Sequence, residues 1–446
     1  MRTAAHIDHS DFLKKMNWIL FLILFIKIAG FFTWIDNVGI IRVFKIVTRI
    51  AMTIAIIQVH GRIVRYGTAG TLKWKNSLSP ILYCAYLALG VASFMWSTDP
   101  GYSALQWIMD FESFVFAFYF MRCLAQIEIY FPESRIRYYN LFGNAAFYII
   151  LIFDIGVVVE PSIFYRMTHG GDEARLGGWI MNPNELGMLC VVAISCFIFD
   201  LYRDHYKKWT LAKMLLVMFA LILTGSRSSM VGFMLIVFFH IRRSKNAWLK
   251  LAVNAGAVVA IPVILETIII KGNGGGLEEV LSMTGRLPFW QALLNEALPR
   301  EPWLGYGFMR INYQDTFQGV HTYAGHMTHN TFMQVVMNLG FIGFTLVLLQ
   351  FIVTIKSFLK TKPEEKKLML IGILIPVVIN SFTEFGIFGE TNYGILFYQL
   401  LIFMVSVDAD TRPTLMQKIR LRRKRPDLIG TSLLQVGVGP HLLPDS

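Results

Sequence analysis

Residues 331–355 read TFMQVVMNLGFIGFTLVLLQFIVTI, with no Asp, Glu, Lys or Arg anywhere in the stretch. A helix rises about 1.5 Å per residue, so a segment of this length clears the roughly 30 Å hydrocarbon core of a bilayer. Outward from it the pattern repeats. Apolar runs of spanning length are predicted at about 17–35, 38–58, 78–96, 103–125, 138–159, 183–201, 208–224, 227–241, 247–270, 329–357, 367–386 and 392–408. The composition agrees. The chain is 55% hydrophobic and 16% charged, where a soluble domain carries roughly a quarter charged residues. Mean hydropathy is +0.53. The expected fold class is therefore an all-α polytopic membrane protein of about twelve transmembrane helices.

Charge placement orients the chain. The formal net charge of +12 would suggest nucleic acid on a soluble protein, but here the Lys and Arg residues cluster in short segments between apolar runs. With the N-terminus inside and the spans alternating, 29 of the 41 fall in inner segments and seven in outer loops. That bias fits the positive-inside rule. The organisation expected is a cytoplasmic N-terminus at 1–16, helices over 17–270, a long outer loop at 271–328, further helices over 329–408 and a basic cytoplasmic tail at 409–446. About sixteen polar residues precede the first span and no small-residue cleavage site follows it, so an uncleaved first helix is expected. The four cysteines fall inside apolar spans, where they read as small buried residues rather than disulfides or metal ligands.

The long outer loop includes Leu287, Trp290, Leu294 and Leu298 at helical spacing, which predicts a short amphipathic helix lying on the membrane surface. Loops of this length usually carry function.

Three helix starts are expected at the outer face: Asn182 before Pro183-Asn184, Ser226 before Arg227, and Thr328 before His329-Asn330. Free N–H groups and a partial positive charge at helix N-termini suit an anion. With Arg175, Arg227 and Arg286 nearby, the set suits a phosphate or diphosphate. Ordinary capping, with arginines touching lipid headgroups, is the plainer alternative. His329 suits proton transfer near neutral pH, and His326 is the second candidate base. His321, His326 and His329 lack a Cys or acidic partner at ligand spacing, so no metal site and no cofactor is expected. Arg42, Lys45 and Arg49 share one helix face. They either line a cleft for a lipid-linked anion or pair with Asp110, Glu112 or Asp154.

The sequence resembles the superfamily of O-antigen ligases and O-antigen and exopolysaccharide polymerases, bacterial membrane glycosyltransferases. The resemblance runs in order through Trp96-Ser97-Thr98-Asp99-Pro100, Asn182-Pro183-Asn184-Glu185-Leu186-Gly187 and Thr224-Gly225-Ser226-Arg227-Ser228-Ser229. It continues through Thr284-Gly285-Arg286 with Trp290, then Pro302-Trp303-Leu304-Gly305-Tyr306-Gly307-Phe308. It ends with His329-Asn330-Thr331 and Leu339-Gly340-Phe341-Ile342-Gly343. The resemblance implies a metal-independent enzyme of the bacterial inner membrane. Such an enzyme takes a glycan from undecaprenyl diphosphate at the periplasmic face and passes it to lipid A–core (a ligase) or to another lipid-linked repeat (a polymerase). On that reading His329, Arg286 and Arg227 are catalytic. Arg175, Asn182, Asn184, Ser226, His326, Asn330, Arg42 and Arg49 bind substrate. A lipid transporter is the competing class. It would show repeat-related halves, and no such repeat is visible in the sequence.

Overall fold

The computed structural model describes residues 9–34, 37–66, 72–130, 138–168, 173–203, 208–242, 286–308, 328–362, 364–384 and 386–409, with the isolated positions 247 and 251. The chain is predominantly helical. Its elements are α1 (His9–Ala29), α2 (Val38–Tyr66), β1 (Leu72–Trp74), α3 (Leu78–Ala92), α4 (Pro100–Tyr130), α5 (Tyr138–Val159) and the single turn α6 (Pro161–Phe164). Then come β2 (Tyr165–Thr168), β3 (Glu173–Leu176), α7 (Pro183–Arg203), α8 (Lys208–Thr224), α9 (Arg227–Ile241) and α10 (Arg286–Ala292). The described chain ends with α11 (Thr331–Lys360), α12 (Glu364–Asn380), α13 (Tyr393–Ser406) and β4 (Val407–Ala409). Every expected span has a helix over it except 247–270, which lies almost wholly outside the described residues. Among the described residues four segments are long and apolar enough to cross a membrane: Leu78–Met95, Tyr138–Val159, Pro183–Leu201 and Thr331–Lys360.

The centre of the bundle is made by α13, buried along its whole length, and by α7, whose Leu189–Ile194 run is fully enclosed. Around them α5 and α8 pack on α7, α4 packs on α2 and α13, and α3 packs on α11. Burying both faces of a helix demands an apolar sequence all round. Ile395–Val405 satisfies this except at Tyr398 and Gln399, whose polar atoms reach Gln350 and Asp110.

Three charges inside the bundle, Lys27, Arg49 and Glu112, are paired with one another. Lys27 of α1 donates to Glu112 and to Thr53 Oγ1, the latter at 3.3 Å. Arg49 lies 3.4 Å from Glu112 and donates to Met109 O and Ser113 Oγ at 2.8 Å each. Of the two alternatives for the α2 stripe, Arg49 therefore takes the pairing with Glu112. Arg42 is exposed, and Lys45 donates to Thr33 Oγ1 at 2.9 Å.

The long helix α11 is broken at Gly340, whose φ of 61° leaves helical geometry. The chain at 302–307 enters the break. Phe341 N–H donates to Pro302 O (2.8 Å), while Tyr306 and Gly307 N–H groups donate to Met337 O and Asn338 O (3.0 and 2.9 Å). Carbonyls and amides freed by the kink are thereby satisfied, as a buried backbone requires. The same strap reaches the α3–α4 corner, where Thr98 N–H donates to Tyr306 O and Trp96 Nε1 to Leu304 O. The segments 96–100, 302–308 and 339–343, separate motifs in the sequence, thus make one structural joint.

Several expectations need adjusting. The surface helix is α10 plus a π turn at Leu293–Ala297. Its buried face is Phe289, Leu293 and Ala297, packed with Tyr306 and Met337, while Leu287 and Leu294 are exposed. The π turn is closed by an i to i+5 bond from Leu298 N–H to Leu293 O. The helix α12 ends at Asn380 rather than 386, and residues 381–384 and 386–392 lie outside any helix. At the end of the last span Asp408 lies in β4, opposite Lys73 of β1.

Candidate active site

At the start of α7, Asn182 precedes Pro183 and its Oδ1 accepts the Asn184 N–H at 2.9 Å. The Asn184 side chain then bridges two elements. Its Oδ1 accepts from Arg175 Nη2 at 2.8 Å and its Nδ2 donates to Glu384 Oε1 at 2.9 Å. Arg175 comes from β3 and also donates from Nε to Thr224 O, at the end of α8, at 2.8 Å.

The turn into α9 sits alongside. Ser226 caps α9 by accepting the Ser229 N–H, and Ser229 Oγ donates to Asn184 O, both at 3.3 Å. Gly187 permits this approach, because a Cβ there would lie 2.5 Å from Ser229 Oγ. Arg227 is half-buried, without hydrogen bond or ion pair to any described residue.

Glu384 is the hub. It follows α12 and its N–H donates to Asn380 O at 2.7 Å. One carboxylate oxygen is 2.8 Å from His329 Nδ1; the other takes Asn184 Nδ2 and lies 3.4 Å from Arg286 Nη2. Arg286 also donates to Thr383 O. Its Nε is buried with no hydrogen-bond partner among the described residues.

The backbone fixes the same parts. His329 has φ 49°, rare for a residue with a side chain and a form of strain that tends to gather at functional sites. Immediately after it Asn330, rather than Thr328, caps α11, accepting the Phe332 and Met333 N–H groups at 3.0 Å each. Asn330 Nδ2 donates to Phe382 O, and Thr331 N–H to Ser381 O, so the His329 and Glu384 segments are stitched side by side. Trp290 Nε1 donates to Thr328 O at 2.8 Å and ties α10 to the same place.

The electrostatics follow from these contacts. Burial alone would raise the Glu384 pKa. The hydrogen bond and charge of His329, the Arg286 guanidinium and the Asn184 amide outweigh it and hold the carboxyl below the ordinary value. The carboxylate therefore stays ionised. With Nδ1 held by Glu384, Nε2 is the imidazole nitrogen that can take a proton from a substrate, and Glu384 can stabilise the imidazolium that results.

Of the residues expected at a site, Arg175, Asn184, Arg286 and His329 meet around Glu384 in one connected network. Asn182, Ser226 and Asn330 build its helix starts. Arg227 lies next to the Ser226 cap and makes no hydrogen bond or ion pair with the described members of the network. Arg42 and Arg49 stand apart from it on α2, and His326 lies outside the described residues. Sequence reasoning missed Glu384, although a lone acid within an expected apolar span was a usable signal.

Comparison with known proteins adds a family. No curated protein matches the chain. Residues 211–348 match the family model described as O-antigen ligase, a stretch that includes Ser226, Arg227, Arg286, His329 and Asn330 and stops short of Glu384. The match supports the resemblance of this chain to the O-antigen ligase superfamily, and with it a membrane enzyme of ligase or polymerase type.

Proposed function

We propose that the protein is a periplasmic-face glycosyltransferase of the bacterial inner membrane. It moves a glycan from undecaprenyl diphosphate to the hydroxyl of an acceptor sugar, with lipid A–core as acceptor. The observation that carries this reading is the His329–Glu384 pair, flanked on its other carboxylate oxygen by Arg286 and Asn184. It supplies a base and fixed positive charge at one place, the two things a displacement at an anomeric carbon needs.

The step is an inverting displacement. The acceptor hydroxyl gives its proton to His329 Nε2 as its oxygen attacks C1 of the donor sugar. The bond from C1 to the phosphate oxygen breaks, and the diphosphate leaves with the electron pair. Arg286 and Arg227 stabilise that departing charge, as preformed cations beside a leaving group do. Asn184 and Arg175 hold Glu384 and the α8–α9 turn in place. Positive charge from the arginines makes a metal unnecessary for this step.

The test is transfer by purified protein given undecaprenyl-diphosphate-linked glycan and EDTA, with lipid A–core or with no added acceptor. Glycan on lipid A–core, lost in His329→Ala and Arg286→Ala, is the expected result. A ladder of longer lipid-linked glycans in the second tube would reassign the acceptor and make the enzyme a polymerase. No transfer in either tube would sink the proposal.

A further inference from the structure

The hairpin formed by β2 and β3 carries two arginines directly opposite each other, because the register pairs Arg166 with Arg175. Residues opposed in an antiparallel pair project to the same face, with Cα atoms about 4.5–5.5 Å apart. Like charges in that position destabilise a hairpin unless something answers them. Arg175 is turned to the site, where Thr224 O and Asn184 hold it. Arg166 is not: it is exposed, with neither hydrogen bond nor ion pair to any described residue, and its guanidinium lies over the Trp179 ring, 5.5 Å from the centroid.

The surroundings of this pair are apolar and outward-facing. Trp179 is 68% exposed, and Val158, Val159, Ile163 and Met167 are exposed beside it in the same α5–β3 stretch. A tryptophan with an exposed aliphatic fringe at the end of a spanning helix is the pattern of a membrane–water interface anchor. It sets Arg166 at the depth where the phosphates of a lipid lie. The hairpin also places the inward arginine, and through it Asn184 and Glu384, one strand's width away.

We infer that Arg166 with Trp179 forms the docking contact where the diphosphate of the lipid-linked donor is first held at the membrane interface, before it moves past Arg175 to the site. This inference rests on the proposed use of a lipid diphosphate donor. Arg166 answers the phosphate charge, and the Trp179 ring holds the guanidinium in place from behind.

Binding can be tested apart from transfer. Full-length protein in phosphatidylcholine nanodiscs is titrated with undecaprenyl diphosphate that carries no glycan. Arg166→Ala is expected to weaken binding about tenfold, the worth of a single charge-assisted hydrogen bond. Arg166→Lys should recover part of that affinity, and Trp179→Ala should weaken binding less than Arg166→Ala does. Equal affinity in wild type and Arg166→Ala would overturn the inference. So would displacement of the probe by phosphatidylglycerol at equal affinity, which would make the pair a general headgroup anchor. If Arg166→Ala loses diphosphate binding while wild-type protein transfers no glycan, the docking contact stands and the glycosyltransferase reading falls.

Discussion

Two carboxylates in this chain each sit between two basic side chains. Glu112, on α4, is enclosed by Lys27 and Arg49, whose side chains are 0% and 6% exposed. Glu384, on a connection between helices, is flanked by His329 and Arg286, at 21% and 17%. The first group is built from helix interiors and closes on itself. The second is built from helix starts, a strand and a loop, and the His329 and Arg286 side chains keep a side toward the surface. Breaking a buried ion pair is costly because the remaining charge has no water. An open pair can trade partners with a substrate. The same chemical types therefore close a buried group in one place and stay partly open to the surface in the other.

The largest expected effect tests the open pair. His329→Ala and Glu384→Gln should each lower turnover per folded molecule by about 10²–10⁴-fold, measured on lipid-linked glycan. Their double variant should be scarcely worse than either alone, since the two act as a unit. Full additivity would show that Glu384 does not work through His329.

Glu112→Ala should do the reverse. It leaves Lys27 and Arg49 facing each other in the bundle and should cost about 3–5 kcal/mol of stability, read as a fall in unfolding midpoint in detergent. Turnover per folded molecule should hold. Should it collapse instead, the division between a holding pair and a reacting pair would be broken.

A smaller effect concerns the joint within α11, the helix that His329 leads into. Gly340→Ala places a Cβ against the Trp303 backbone at a φ that alanine rarely adopts. A loss of about 1–3 kcal/mol is expected. An undisturbed midpoint would mean that the strap at 302–307 is not what holds the kink.

The smallest effect is in pH. The Glu384 pKa lies below the ordinary 4.5 in the folded protein. Its stabilisation is therefore fully present above 4.5 and is lost as pH falls through the lower folded value. The gap in unfolding midpoint between wild type and Glu384→Gln should be constant above about pH 5 and narrow below it. A gap that widened on acidification would mean that the carboxyl is protonated in the folded state.

The helices could be read because hydrocarbon imposes one requirement on every spanning segment, and residues 331–355 or 183–201 meet it in plain composition. Arg175, Asn184, Arg286 and His329 could be singled out because polar groups at outer helix starts stand against an apolar background. What holds them together could not. Asn184 and Glu384 are 200 residues apart and meet only through packing. Glu384 was hidden because apolar residues continue past Asn380, so hydropathy runs on after the helix has stopped. The role of α10 was half readable. Its helix follows from spacing, but spacing does not say which of two adjacent stripes turns inward, and it is Phe289, Leu293 and Ala297 rather than Leu287 and Leu294.

The position of Glu384 along the chain also bears on biogenesis. Synthesis proceeds from the N-terminus, and earlier parts of a chain assemble first. Arg175, Asn184 and Arg286 are all in place on the nascent chain before Glu384 is made, and Glu384 reaches them only once the α12–α13 hairpin has been inserted. Under the proposed mechanism His329 would thus gain its orienting carboxylate late in synthesis, and a chain stalled before residue 384 would carry the arginines of the site without the group that completes it.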